Sequence, residues 1–461
     1  MSEPLVSVCI RNFNYERYIS QAIESALAQT YPRTEVVVVD DGSTDRSRDV
    51  IARFGTRVRA KFQKNQGGTA AANKCFDLAS GQIIIYLDSD DLLYPSAVTE
   101  VVRAWTPETA KVQFQLLVIG GASQPKENSG FPDYPPDYGP NEVRREFLAT
   151  GNYSWPPTTG NAYARGFLKK VLPLSRGHRF HDGTLNTIAP LFGEIQTIPR
   201  ILGCYRVHGS NSWAISSVEP SLFAAHIAQK QNEMELLRRY AAQAGIALPE
   251  GNLLDHLPYF LDMRLCAWKL QQDYPGRAED STGRLAVLSV KHLFHADMHT
   301  DRRFIHFIWR LLVAACRGTW AKRLIALRYD SSARPNLIDW IFKNALRRQG
   351  HDSRGFRLYP SAVILIAATA ILRNFVDAPP FNVINTILQV CLLGAAMTWG
   401  GVTTTIAAFL FILGVDFFLI DPVFALGVHD WRGLAELTFG SVLALGFAIT
   451  ASRMVPLRGL R

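Results

Sequence analysis

Residues 83–95 read IIIYLDSDDLLYP. A strand is expected over Gln82 to Leu87, whose apolar run from three β-branched isoleucines suits a short strand covered on both faces, as in a parallel sheet sandwiched by helices. Asp88, Asp90 and Asp91 follow at once. Open α/β sheets collect their ligands beyond the carboxyl ends of the strands. Asp88 and Asp90, one residue apart, turn to one side as the strand ends. Two hard oxygen donors at that spacing suit Mg2+ or Mn2+, ions that also take diphosphate oxygens. A solvated acidic turn, with Asp91 capping the next helix, is the plainer alternative.

Moving outward, residues 35–47 read EVVVVDDGSTDRS: four consecutive valines, then Asp40-Asp41-Gly42-Ser43. A carboxylate at that strand end can accept hydrogen bonds from a nucleobase imide or a ribose hydroxyl, while Ser43 or Thr44 is placed to cap a helix reaching about Phe54. A first strand over Leu5 to Ile10 ends in Arg11-Asn12-Phe13-Asn14, and a third spans Val58 to Gln63. Helices are expected over Arg17 to Gln29 and Gly68 to Ala79. Gly67, Gly68 and the small residues up to Asn73 permit a backbone to approach a ligand closely at a helix start, or form an ordinary glycine turn. Strand and helix alternate with short connections, which makes the fold class α/β with right-handed crossovers. A strand over Val112 to Ile119, a Pro-rich loop from Phe131 to Pro140, an irregular stretch from Trp155 to Asn161 and a helix over Arg165 to Val171 complete this part. From Glu219 to about Asn344 the periodicity is helical.

The remainder points to a membrane. The chain carries a net charge of +9, and fifteen Lys and Arg against five Asp fall between Ser281 and Pro360. A basic block directly before an apolar tail suits anionic headgroups; with no zinc-finger spacing and no basic heptad helix, nucleic acid is not the expected partner. Four apolar segments follow, Tyr359 to Leu372, Val383 to Trp399, Val402 to Ile420 and Leu434 to Ala451, each approaching the ~20 residues a spanning helix needs. Arginines flank the group at both ends, so both termini are expected on the cytoplasmic side of a multi-pass inner (plasma) membrane protein. His292, His295 and His299 share one helical face, better explained by an interfacial amphipathic helix than by a second metal site. Six scattered cysteines and the absence of a signal-like start agree with a reducing compartment. The expected division is residues 1–217 as catalytic domain, 218–357 as basic helical linker and 358–461 as a four-helix transmembrane bundle.

Taken in order, VSVCIRNFNYERYISQAIESALAQTYP, EVVVVDDGSTDRS, NQGGTAAANK and IIIYLDSDDLLYP resemble the family 2 inverting glycosyltransferases of GT-A fold, a Rossmann-like, mostly parallel sheet with helices on both faces. The resemblance covers about Pro4 to Ser212. It implies that Asp41, with Asp40, contacts the nucleobase, that Phe13, Asn14, Gly67, Asn73 and Asp88 line the nucleotide-sugar, and that Asp88 and Asp90 hold a metal-diphosphate. Arg11 departs from the family, which usually has proline there. Further along, PPTTGNAYARGFLKKVLP and HDGTLNTIAPLFGEIQTIPRILGCYRVHG continue the resemblance. They imply Asp182 as catalytic base, Gly160 and Asn161 on the acceptor side, Arg206 at the diphosphate and His208 as a third metal ligand. Asp182 as a helix cap and His208 as a structural imidazole are the competing readings. No Gln-x-x-Arg-Trp signature of processive synthases occurs, so single-sugar transfer is expected. The last hundred residues resemble the four-helix membrane region of potassium-sensor histidine kinases through GVDFFLIDPVFALGVHD. The implied activity is metal-dependent transfer of a sugar from a nucleoside diphosphate, UDP most often in the family, to a lipid-linked, membrane-associated or glycan acceptor. The alternative is a membrane sensor or scaffold whose GT-A domain binds a nucleotide-sugar without turnover.

Overall fold

The computed structural model describes residues 3–175, 181–208, 220–295, 309–310, 313–314, 316 and 318–329. The chain divides into two compact units, Met1–His295 and Ala296–Arg461. The four apolar tail segments, and with them the kinase-like resemblance, lie outside the described residues. Among the described residues no helix is long and apolar enough to cross a membrane.

In the first unit the strands are β1 (Val6–Asn12), β2 (Thr34–Asp40), β3 (Arg59–Phe62), β4 (Ile83–Asp88), β5 (Leu92–Leu93), β6 (Thr109–Gly120), β7 (Pro125–Phe131), β8 (Asn161–Ala164) and β9 (Glu194–Val207). They form one sheet in the order β3-β2-β1-β4-β8-β6-β9-β5, with β7 paired to β6. β3, β2, β1 and β4 run parallel, as do β6 and β9. β8 inserts antiparallel between β4 and β6, and β5 and β7 are antiparallel to their partners. The sheet is therefore mixed, not mostly parallel. The difference comes from β8, β7 and β9, whose Pro, Gly and polar residues interrupt any continuous apolar run.

Strand alternation distributes the helices to two faces. Val6, Val8 and Ile10 of β1, Val36 and Val38 of β2, and Ile83, Ile85 and Leu87 of β4 share one core. Against it pack α1 (Ile19–Leu27) through Ile19, Ala22, Ile23 and Ala26, α2 (Ser47–Ala52) through Ile51, and α4 (Ala97–Arg103) through Val98 and Val101. The spacing of the α1 residues is that of a single buried helical stripe. Cys9, pointing the other way, sets its thiol on the carbonyl of Cys75 in α3 (Gly68–Leu78), which covers the opposite face. Each fully buried Ile or Val contributes about 1.5–3 kcal/mol, which is why these central strands need no polar support along their length. Polar groups appear only at the tips.

α5 (Pro140–Thr150) begins with proline at its first turn, has Glu142 reaching back to the Gly139 amide, and stops at Gly151, which adopts φ +73. α6 (Arg165–Val171) and α7 (His181–Ile188) follow. α8 (Pro220–Gln243), α9 (Pro258–Lys269) and α10 (Thr282–His295) belong to the same unit as the sheet, with α8 packed on α7. Of the three histidines grouped by helical spacing, the side chains of His292 and His295 and all of His299 lie outside the described residues.

Candidate active site

Registration puts the chemistry of three strands side by side. Asn12 of β1 stands opposite Asp40 of β2, and Arg11 opposite Asp88 of β4, so the acidic tips of β2 and β4 flank the tip of β1. Beyond β4 the chain turns sharply, and each of the three acids there finds a different partner. Asp88 is gripped by Arg11, whose Nε and Nη2 lie 3.2 and 2.9 Å from its Oδ1. Asp90 meets the His208 imidazole, with Nε2 2.9 Å from Oδ2. Asp91, fully buried, accepts the Thr159 hydroxyl at 2.6 Å and the Arg206 amide at 2.8 Å. Burial raises the carboxyl pKa of Asp90 and of Asp91, and in each case neighbouring acids add to the rise.

Asp182 enters from the first turn of α7 and accepts a hydrogen bond from the Thr158 hydroxyl at 3.0 Å. Burial raises its pKa; the Arg11 charge pulls it back down, and Asp88 pushes it up. Asp182 in turn acts on Arg11. Arg11 thus shares its field between Asp88, which it contacts, and Asp182, which it reaches by charge alone. A carboxylate whose pKa is raised by desolvation is a stronger base than an exposed one.

Among the described residues, no group of three or more His, Cys, Asp or Glu side chains is arranged to hold a metal ion. The expected trio of Asp88, Asp90 and His208 is split: Asp90 and His208 form a pair, whereas Asp88 is drawn to Arg11. One oxygen and one nitrogen donor beside a second carboxylate still fit a hard cation that arrives with diphosphate oxygens of its own, since Mg2+ and Mn2+ sites commonly use one or two protein ligands plus substrate phosphates. They do not fit an all-protein cage.

Comparison with known proteins agrees with this arrangement. The glycosyl transferase family 2 model matches residues 7–172, which include the β1, β2 and β4 tips. An uncharacterized glycosyltransferase of Nostoc sp. (strain PCC 7120) is 35% identical over 261 residues, covering 54% of this chain and 78% of that protein. The chain belongs to glycosyl transferase family 2. Glycosyltransferase GlyG of Streptococcus pneumoniae serotype 4 is 35% identical over 134 residues, 28% of this chain and 42% of that one. The chain thus spans most of the first relative and less than half of the second. The solved structure of Staphylococcus aureus TarS 1-349 covers 76% of this chain and 95% of its own, with 16% identity and a TM-score of 0.41. A likeness that distant says nothing about substrate. The positions expected to serve donor and acceptor divide into two sets.

One set gathers at the tips of β1 and β2 and in the segment before α3. Phe13 is 42% exposed, and Asn14 holds φ +58 while its side-chain oxygen accepts the Thr44 amide at 2.8 Å. Asp41 accepts the amides of Gln66 and Gly67 at 2.9 and 2.8 Å and the Gln63 side chain at 2.7 Å, folding the glycine-rich segment over the β2 tip. Gly67 takes φ +92 there. Gly42, at φ +81, has no room for a side chain: a Cβ would lie 2.6 Å from the Asn65 nitrogen.

The other set is turned inward, against expectation. Asp40 is fully buried and accepts from Asn12, Ser43 and Arg48; Asp41 is buried as well, its carboxylate engaged by the Gln63 to Gly67 segment. Asn73 clasps the backbone of Leu174 by both its side-chain atoms, at 2.9 and 3.1 Å. Arg206, fully buried, gives its guanidinium to the Asp90 carbonyl at 2.6 Å, Ser123 at 2.8 Å and Gln21 at 2.9 Å, and lies over the Tyr18 ring. It shapes the acidic turn from below and presents no surface to a diphosphate. Gly160 and Asn161 are buried too: a Cβ on Gly160 would lie 2.6 Å from Pro156 Cγ, and the Asn161 amide donates to the carbonyls of Pro156, Pro157 and Thr158. They build the turn that carries Thr158 and do not line an acceptor groove. Motif spacing cannot separate these cases, because a polar residue that supports a site and one that touches its ligand occupy the same positions in sequence.

Several residues escaped sequence reasoning. His208 stacks on Tyr18 with ring centroids 5.2 Å apart, and Tyr15 approaches its edge at 5.9 Å. Burial, then Asp90 and Asp88, hold the Tyr15 hydroxyl in its protonated form. Behind Asp182, Asn186 lies four residues further along α7, hence on the same helical face. It accepts from Lys111 at 2.8 Å and from Tyr163 at 2.9 Å. Lys111 is fully buried, and desolvation lowers its pKa well below that of an ordinary lysine. From α8, buried Lys230 bonds Glu233 at 3.0 Å and Thr187 of α7 at 3.0 Å. The aromatic residues around β1 carry no sequence signal beyond helix-face periodicity, and the α7 supports lie far apart in the chain.

Proposed function

We propose that this glycosyltransferase moves a single sugar from a nucleoside diphosphate to an acceptor hydroxyl with inversion at the anomeric carbon. Supporting this reading is the charge coupling of Arg11 to both Asp88 and Asp182, which links the acid at the β4 tip to the acid of α7. Asp41 and the segment it folds would receive the nucleobase, UDP being the expected nucleotide. Asp90 and His208 would hold Mg2+ or Mn2+ together with the diphosphate, and the cation would stabilise the charge that develops on the leaving group. Asp182 would accept the proton of the attacking hydroxyl; burial makes it a stronger base than an exposed carboxylate, and the Thr158 hydroxyl fixes the orientation of its second oxygen.

A lipid-linked or glycan acceptor at the inner membrane is part of the same proposal, resting on the basic segment and apolar tail of the sequence. Transfer measured with a panel of nucleotide-sugars, with and without chelator, tests it. Asp182→Asn should abolish transfer while donor binding persists. Donor binding by wild type without any transfer or hydrolysis, across donors and acceptors, would favour the sensor or scaffold reading instead.

A further inference from the structure

The Arg11–Asp88 pair sits where a cation is expected, and it is itself a cation on a carboxylate. Two guanidinium nitrogens converge on a single oxygen, Oδ1, of Asp88. Their side chains remain 19% and 24% exposed, so the pair is open to an ion arriving from solvent. The third guanidinium nitrogen hangs over the start of α3: a Cβ on Gly68 would lie 2.8 Å from Nη1, so glycine at that position is what lets the arginine lie across the site. Of the three acids that close β4, Asp88 is the one paired with a permanent positive charge; Asp90 faces an imidazole, and Asp91 an amide and a hydroxyl. Arg11 remains charged at any accessible pH.

A divalent ion that approaches Asp88 therefore meets a resident positive charge. Two cations on one carboxylate repel at short range, and a partly buried setting screens that repulsion poorly. We propose that Arg11 is the residue that sets the enzyme's affinity for its divalent cation, holding Asp88 as an internal counter-ion and competing with the metal for it. The inference rests on the metal-dependent reading above and deepens it. Asp90 and His208 then form the standing part of the cation site, and Asp88 joins when Arg11 yields it. Released, the planar fork of Arg11 matches a phosphate edge, so the charge withdrawn from Asp88 is not lost from the cleft.

Binding of Mn2+ to the full chain in the presence of UDP, followed by the electron paramagnetic resonance signal of the free ion against a protein-free Mn2+–UDP control, tests this without recourse to activity. Arg11→Gln should bind Mn2+ about tenfold more tightly than wild type or better, since a like charge is removed at contact range. Arg11→Lys, which keeps the charge, should stay within about twofold of wild type. Asp90→Ala should lose the ion. Unchanged or weaker binding by Arg11→Gln, with wild-type melting behaviour and Asp90→Ala still deficient, overturns the role of Arg11 alone. Absence of Mn2+ binding in wild type and in Arg11→Gln overturns both this inference and the metal-dependent reading. If Arg11→Gln fails to fold, the comparison of Asp88→Asn with Asp90→Ala decides: the proposal requires Asp88→Asn to weaken Mn2+ less than Asp90→Ala does, and equal losses overturn it.

Discussion

Thr158 donates its hydroxyl hydrogen to Oδ2 of Asp182 at 3.0 Å, tying the short turn before β8 to the first turn of α7. This bond favours the ionised carboxylate, as does the charge of Arg11, while burial favours the protonated acid. The balance leaves the pKa of Asp182 above the ordinary carboxylate value. A base works deprotonated, so the rate should rise with pH through the pKa of Asp182. Thr158→Val removes a donor to the charged form, raises that pKa further and should displace the acidic limb of the kcat/KM profile toward alkaline pH. An unmoved limb would remove Asp182 from the role of base.

Asp182→Asn keeps the shape of the side chain and deletes its basicity. A loss of roughly 10^2- to 10^4-fold in kcat is expected, with the donor dissociation constant nearly unchanged by calorimetry. Equal losses in both would mean that the residue binds and does not abstract a proton.

Arg206→Met strips guanidinium bonds from the Asp90 carbonyl, Ser123 and Gln21 in a fully buried place. Destabilisation by about 3 kcal/mol or more is expected in urea unfolding. A stable variant with only a raised KM for donor would instead put this arginine at the ligand.

Gly160→Ala should be costly although the residue touches no ligand. Its Cβ would lie 2.6 Å from Pro156 Cγ and 2.9 Å from the Phe114 carbonyl, so backbone must shift. Overpacking of this kind costs about 1–3 kcal/mol, and the displaced Thr158 should carry activity down with it. A melting temperature equal to wild type would refute the crowding.

His181 is buried with neither ring nitrogen hydrogen-bonded, its ring set edge-on to Tyr86 at 4.7 Å. Burial, and then Arg11, lower its pKa well below that of a free imidazole. The unfolded chain takes up a proton as pH falls through about 6.5, whereas the folded state resists. This contribution to stability is therefore complete above that value and declines below it. His181→Phe should flatten that decline and, by replacing two unpaired polar atoms with ring carbons, stabilise by about 1 kcal/mol. An unchanged pH dependence would mean that other groups govern the acid limb.

Much of the frame was legible because burial on both faces leaves a plain mark. The apolar runs before Asp40 and Asp88 mark β2 and β4, and the register then brings both acids to β1. β8 and β9 left no such mark: Asn161-Ala162-Tyr163-Ala164 is too short to show a period, and β9 is broken by Pro199 and Gly203. Within the site, sequence located the acids but not their direction. Asp40 and Asp41 are neighbours in a run that reads as a unit, yet one is wrapped by Asn12, Ser43 and Arg48 while the other folds the following loop. Alternation at a strand end decides which is which, and that depends on the partner strands. The helix start at Gly68 was visible as a glycine pair; its reason, the guanidinium of Arg11 lying across it, is a contact over fifty-odd residues of chain that no local pattern encodes.

A Cβ on Gly183 would lie 2.5 Å from a carboxylate oxygen of Glu233, so α7 and α8 meet without a spacer one residue beyond Asp182. The matched family region ends at residue 172, well before either helix. Trimming the polypeptide after β9, a natural choice for anyone seeking a minimal enzyme, would strip the buttress from the base and leave Thr187 facing water where Lys230 and Glu233 had been. Such a fragment should retain nucleotide recognition and lose turnover, a dead enzyme whose missing part lies outside the stretch that announces its chemistry.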